Sequence, residues 1–236
     1  MNARPAPRRC LVTGANRGIG LEFVRQLLAR GDRVVAACRR PARAHALNQL
    51  AGEHPGRLHV LPLDVAEPKS HAELARELPL ALDGLDLLIN NAGVLHSGER
   101  FGQVPIAHLD DSLRVNASGP FLLTQTLAPL LASGAVVANL SSELGSIASA
   151  AGFHTPSYAI SKAAQNMATA LLARALAERG VAVLALHPGW VQTDMGGAGA
   201  QVAPADAVRG LLRVLDAATV ADSGRFLDWR GRAVPW

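Results

Sequence analysis

The chain is expected to fold as a single α/β domain: a doubly wound parallel sheet of about seven strands with helices on both faces. Three observations point there. Short, nearly continuous apolar runs alternate with longer helical stretches, the order that builds a parallel sheet covered on both sides. A glycine-rich turn joins the first run to the first helix. The 236 residues, 49% of them apolar, supply one core, and no linker, repeat or low-complexity tract marks a second domain within residues 1–236.

Strands are expected over 9–13, 33–37, 58–62, 85–90, 135–140, 181–187 and 225–228, most of them apolar without alternation, as strands buried on both faces are. Helical patterns fall between them at 19–30, 70–82, 108–132, 157–179 and 204–217. The small-residue stretch 196–203 is expected to be a mobile loop or short lid.

Composition narrows the function classes. The chain has 5 Phe, 3 Trp and 1 Tyr, so the core must be aliphatic and closely packed. Lys69 and Lys162 are the only lysines, and the net charge is +4. The arginines are scattered among Asp and Glu and form no basic stripe, which argues against nucleic-acid binding as the main function. Cys10 and Cys38 form no CxxC pair and border apolar runs, as buried free thiols of a reducing compartment do. With no signal peptide apparent and no apolar run long enough for a bilayer, a soluble cytoplasmic protein is expected. No metal site is expected.

The first strand ends in Thr13-Gly14-Ala15-Asn16-Arg17-Gly18-Ile19-Gly20 and runs into an amphipathic helix. Its glycines let the backbone turn sharply and approach a pyrophosphate, and the helix offers free N–H groups at its positive end. The second strand closes on Cys38-Arg39-Arg40, where an NAD site carries a carboxylate for the adenosine ribose. Arg39, with Arg17, fits the 2′-phosphate of NADP(H) instead. An unliganded glycine turn and solvated arginines are the plainer alternatives. The sole tyrosine, Tyr158, precedes Lys162 by four residues. On a helix the two share a face, and an ammonium there favours phenolate, lowering the tyrosine pKa towards the range useful for proton exchange. A packed tyrosine beside a solvated lysine is the alternative.

In order, Thr13-Gly14-x-x-x-Gly18-Ile19-Gly20, Asn90-Asn91-Ala92-Gly93, Asn116, Ser142, Tyr158-x-x-x-Lys162 and Pro188-Gly189-x-x-x-Thr193 resemble the motifs of short-chain dehydrogenases/reductases over almost the whole chain. Residues 141–147, 187–197 and the Pro235-Trp236 ending are similar to the C-factor and sniffer-type carbonyl reductase branch. The resemblance implies hydride transfer between NADP(H) and a small ketone, aldehyde or secondary alcohol, with Tyr158 exchanging the proton. It implies that Lys162 also holds the nicotinamide ribose, that Ser142 orients the substrate oxygen, and that Asn116 anchors a water linking Lys162 to solvent. Ser142 precedes Tyr158 by 16 residues, slightly more than is commonest in the family, so Ser141 and Ser146 stay open for the serine role. Asp64 is expected near the adenine, and Asn90, Ala92 and Gly93 beside the cofactor. Pro188, Gly189, Val191 and Thr193 would pass the nicotinamide carboxamide, and Gly14, Asn16, Arg17, Gly18, Ile19, Gly20 and Arg39 complete the expected cofactor site. The family commonly pairs its long helices between subunits, so a homodimer or homotetramer is expected. A regulatory protein of the C-factor type, acting through a partner, is the second function class.

Overall fold

The computed structural model describes residues 7–236; part of the segment judged for a signal peptide, residues 1–6, lies outside them. Seven strands, β1 (Arg9–Thr13), β2 (Arg33–Cys38), β3 (Leu58–Pro62), β4 (Leu85–Asn90), β5 (Leu131–Leu140), β6 (Ala182–His187) and β7 (Phe226–Asp228), form one sheet in the order β3-β2-β1-β4-β5-β6-β7. Every neighbouring pair is parallel. The winding reverses between β1 and β4, so a crevice opens beyond the carboxyl ends of those two strands, where ligands of such sheets bind.

Period-two alternation sends successive strand residues to opposite faces. Cys10, Val12, Val34, Ala36, Leu87, Ile89, Ala138 and Leu184 pack under α1 (Gly18–Arg30), α2 (His45–Glu53) and α7 (Pro204–Ala217). Leu11, Val35, Leu88, Val137 and Val183 pack under α3 (Pro68–Ala81), α5 (Gly119–Leu127) and α6 (Pro156–Ala175). Cys10 and Cys38 are buried free thiols. Among the described residues no helix is long and apolar enough to cross a membrane.

Two expectations need correction. The helix expected over 108–132 is α4 (Ile106–Leu113), a π-helical turn (Arg114–Ser118), α5 and a 3₁₀ turn (Ala128–Leu130), with β5 already starting at Leu131. Pro120 lacks the N–H that would continue the ladder. Gly119 must lack a side chain because the Val65 carbonyl stands 2.5 Å from where a Cβ would be. The second correction is α2, which buries only Leu47 fully and so has too narrow an apolar stripe to stand out in the sequence. The stretch 196–203, expected as a mobile loop or short lid, bonds to the segment before it: Val202 N–H donates to the Trp190 carbonyl at 3.0 Å, and the Trp190 indole N–H to the Gly196 carbonyl at 2.8 Å.

At the carboxyl edge, the central strands carry buried amides. Asn90 and Asn139 are register partners on β4 and β5. Asn90 Nδ2 donates to Asn139 Oδ1 at 2.8 Å and Thr124 Oγ1 at 3.1 Å, and Asn139 Nδ2 donates to Thr169 Oγ1 at 2.8 Å. This ladder ties both strands to α5 and α6. Asn139→Ala is expected to cost about 2 kcal/mol, the scale of buried hydrogen bonds left half-made; urea denaturation measures it, and a variant as stable as wild type would remove the ladder from the account.

Candidate active site

The glycine turn is shaped by what stands against it. Gly14 and Gly18 have φ of 61° and 54°, the left-handed region that glycine enters freely. A Cβ on Gly14 would lie 2.8 Å from Ala92 Cα, and one on Gly20 would collide with the Gly14 carbonyl and the Asn91 amide. Thr13 Oγ1 accepts from the Asn91 and Ala92 N–H groups, both at 3.0 Å, while Asn91 Nδ2 donates to the Thr13 carbonyl at 2.9 Å and the Gly14 carbonyl at 3.2 Å. Asn16 and Arg17 are exposed on the turn and Ile19 packs against the core. No side chain caps the N-terminus of α1, and its first turn has no acidic residue. Its N–H groups and positive dipole end therefore remain open to an anion.

Arg39 and Arg40 are exposed at the end of β2. Arg17 pairs with Asp194 at 3.1 Å, an exposed contact of little energetic weight. The half-buried Asp64 accepts the Ala66 N–H at 3.0 Å and so fixes the turn after β3. From the other side, Thr193 Cγ2 stands 3.4 Å from the position a Gly18 Cβ would take, so the loop after β6 meets the glycine turn. In that loop Val191 is buried and bridges to Val202, while Pro188 and Gly189 are half-buried. Asn90 is directed into the sheet, as described above, with Ala92 and Gly93 lining the crevice floor.

Tyr158 and Lys162 lie in the first two turns of α6 and are 8% and 3% exposed. Glu99, from the loop after β4, accepts the Ser157 N–H at 3.2 Å and holds that loop against the start of the helix. Lys162 Nζ is 5.5 Å from the Tyr158 ring centre and donates to the Leu140 carbonyl at 2.6 Å and to Gln165 Oε1 at 2.9 Å. The expectation of an acidic phenol is corrected here. Burial pushes Tyr158 up to about 12, against a smaller lowering by the Ser142 hydroxyl, and burial pushes Lys162 down to about 7. Both groups are removed from water, which disfavours the charged form of each.

The Ser142 hydroxyl is the one that faces the phenol. Ser141 instead donates to Asn166 Oδ1 at 2.6 Å, and Ser146 to Ser149 Oγ at 3.0 Å. Asn116 lies in the π-helical turn, where such bulges mark functional sites. Its side chain ties the loop after β4 to α6. Nδ2 donates to the Val94 carbonyl and to Ser161 Oγ, both at 2.9 Å, and Oδ1 accepts the Val94 N–H at 2.8 Å. The sequence reading missed the joining roles of Thr13 and Asn91, although both lay inside quoted motifs. It missed Ser161 and Gln165 altogether, because a polar residue on a helix carries no sign of facing inward. The assembled group offers a buried proton donor, a hydroxyl beside it, an ammonium behind it and an open anion site about the glycine turn.

The model of the short chain dehydrogenase family matches residues 8–201. The C-signal of Myxococcus xanthus is 43% identical over 154 residues, 64% of this chain and 93% of that protein. Among solved structures, an NADPH-bound carbonyl reductase from chicken fatty liver aligns with a TM-score of 0.91 at 38% identity, covering 98% of this chain and 99% of the other. The carbonyl reductase Sniffer of D. melanogaster aligns with a TM-score of 0.93 at 30% identity, covering 98% and 100%.

The depressed lysine has a thermodynamic signature. Between about 7 and the ordinary 10.5 the unfolded chain holds a proton that the native chain has released, so stability rises with pH across that window and the contribution is lost as pH falls through 7. Relative to Lys162→Met, the wild type should gain about 2 kcal/mol between pH 7 and 9. Urea denaturation at both pH values checks this; an unchanged difference between the two proteins would show that Lys162 is not the depressed group.

Proposed function

This chain belongs to the short chain dehydrogenase family of oxidoreductases, and we propose that it is an NADP(H)-dependent carbonyl reductase acting on a small ketone or aldehyde, or in reverse on a secondary alcohol. The observation that carries this reading is the placement of Tyr158, Ser142 and Lys162 in one group beside an uncapped helix N-terminus at the switch point of the sheet. The cofactor fits that place. Gly14, Gly18 and Gly20 carry no side chain and would let the backbone come close to a pyrophosphate, the α1 N–H groups would bind it, and Asn16 and Ile19 would flank it. Arg39 and Arg17 would take the 2′-phosphate, Asp64 the adenine edge, Lys162 the nicotinamide ribose, and Pro188 to Thr193 the carboxamide. The chicken carbonyl reductase was solved with NADPH bound, which supports the same choice here.

Bound there, a reduced nicotinamide would be the hydride donor for the carbonyl carbon. Ser142 hydrogen-bonds the carbonyl oxygen and turns it towards Tyr158. The Tyr158 hydroxyl gives its proton to that oxygen, so that the alcohol leaves neutral and the phenolate stays. The Lys162 ammonium then neutralises the phenolate until solvent returns the proton, with Asn116 fixing the Val94 segment and Ser161 beneath them.

Around this single domain, Leu122 on α5 and Ile160, Met167 and Leu171 on α6 are exposed. We assign this face to a homodimer or homotetramer. Two buried free thiols suit a reducing cytoplasm.

Tyr158→Phe should lower kcat at least about 100-fold, the scale of general acid catalysis, while NADPH binding measured by fluorescence stays within about twofold. Ser142→Ala should lose more activity than Ser141→Ala or Ser146→Ala. Wild-type turnover by Tyr158→Phe on a panel of aliphatic and aromatic carbonyls would overturn the assignment. Arg39→Ala should weaken NADPH about tenfold or more and leave NADH unchanged, since one charge-assisted bond to phosphate is lost. Equal dissociation constants for the two cofactors in the wild type would exclude the NADP preference.

A further inference from the structure

Gln165 lies three residues beyond Lys162 on α6 and is 1% exposed. Its Oε1 accepts from Lys162 Nζ at 2.9 Å, yet its Nε2 has no hydrogen-bond partner. A buried amide with an idle donor destabilises a fold, and a leucine of similar size would fill the place without that cost. The hydrogen bond its side chain does make is to the Lys162 ammonium.

From β5 the ammonium meets the Leu140 carbonyl at 2.6 Å. The turn after β5 brings Gly145, packed against the Lys162 backbone, and the loop after β4 brings Gly93; both are glycines without side chains. On α6 itself the titratable neighbour is Tyr158, a neutral phenol at 5.5 Å to its ring centre. Desolvation is the sole cause acting on the lysine, so no carboxylate and no second cation faces it among the described residues. Among the described residues Gln165 Oε1 is then the one side-chain acceptor hydrogen-bonded to the ammonium.

We propose that Gln165 is a positioning residue for the reaction: its amide oxygen fixes the Lys162 ammonium behind the Tyr158 phenol and keeps it protonated. The functional part of this inference rests on the reading that Lys162 serves Tyr158. Its physical part does not, and the two are tested apart. In the carbonyl-reducing direction the phenol gives up its proton most readily while the lysine is charged, so the residue that holds the ammonium sets the alkaline limit of turnover.

The chain's two lysines make a direct test available. Selective 13C labelling of lysine gives two side-chain ε signals, the exposed Lys69 and the buried Lys162. Titrated by NMR, Gln165→Leu should lower the Lys162 pKa by about one unit, the scale of one hydrogen bond to a charged group. Gln165→Glu, which keeps the acceptor and adds charge, should raise it, and Lys69 should not move. At about pH 9, where Lys162 is neutral in both folded proteins, the melting temperature of Gln165→Leu should equal or exceed that of wild type. With NADPH and the carbonyl panel, the alkaline limb of kcat should shift the same way by about one pH unit and return in Gln165→Glu. Coincident Lys162 titrations in wild type and Gln165→Leu would overturn the proposal. So would a deep loss of melting temperature at about pH 9 in both Gln165→Leu and Gln165→Met, which would assign the glutamine to folding. If Lys162→Met turns over like wild type, the parent reading of the lysine falls, and the NMR titration still decides whether Gln165 holds it.

Discussion

The hydroxyl of Thr13 accepts two backbone N–H groups, from Asn91 and Ala92, and the Asn91 amide returns two donations to the carbonyls of Thr13 and Gly14. These four bonds join the ends of β1 and β4, where the winding of the sheet reverses. Backbone groups at a partly buried strand end must find partners, and here they find them in each other, so the crevice floor is rigid before any ligand enters. The close approach also explains the glycines. Gly14 is hemmed in by Ala92 and Gly20 by the Gly14 carbonyl, so the turn is bare of side chains at these two positions because of how the sheet packs. That bareness leaves the α1 N-terminus reachable.

Helix α6 continues the logic on the other side of the crevice. Its inward face is polar: Ser161, Lys162, Gln165, Asn166 and Thr169 are all buried. Thr169 joins Asn139, Asn166 joins Ser141 and the Gly145 carbonyl, and Lys162 joins the Leu140 carbonyl. Its apolar Ile160, Met167 and Leu171 point outward. The usual arrangement of a surface helix is reversed along this part of its length. Hydrogen bonds, being directional, hold the helix at one register against β5, and so set the distance from Tyr158 to the serine that follows that strand.

This reversal also explains what was legible in the sequence. Continuous apolar runs gave away the strands, because a strand covered on both faces has one reading. The glycine turn and the Tyr158 to Lys162 spacing were visible because each requires unusual residues at fixed offsets. What stayed hidden was orientation. Asn116 and Gln165 are polar residues in helical segments, and nothing local distinguishes one that turns inward from one in solvent. Their partners, Val94, Ser161 and Lys162, are chosen by tertiary packing. The acidic phenol failed for the same reason: spacing placed the ammonium near it, but burial, a property of the whole fold, acted on both groups and dominated.

Those two opposed shifts are physically coupled under the proposed chemistry. A buried phenol resists becoming an anion and a buried amine resists remaining a cation, each by the cost of isolating charge from water. An ammonium held alone behind a neutral phenol is the expensive state, and a phenolate beside that ammonium is a pair in which the charges offset each other. Passing the phenol proton to a substrate oxygen converts the first state into the second. The burial that makes Tyr158 a poor acid in isolation therefore favours its proton transfer whenever Lys162 is charged, and opposes it whenever Lys162 is neutral. The reactivity of the tyrosine is thus governed by the protonation of the lysine, which depends on the few neutral oxygen atoms that the fold brings to it.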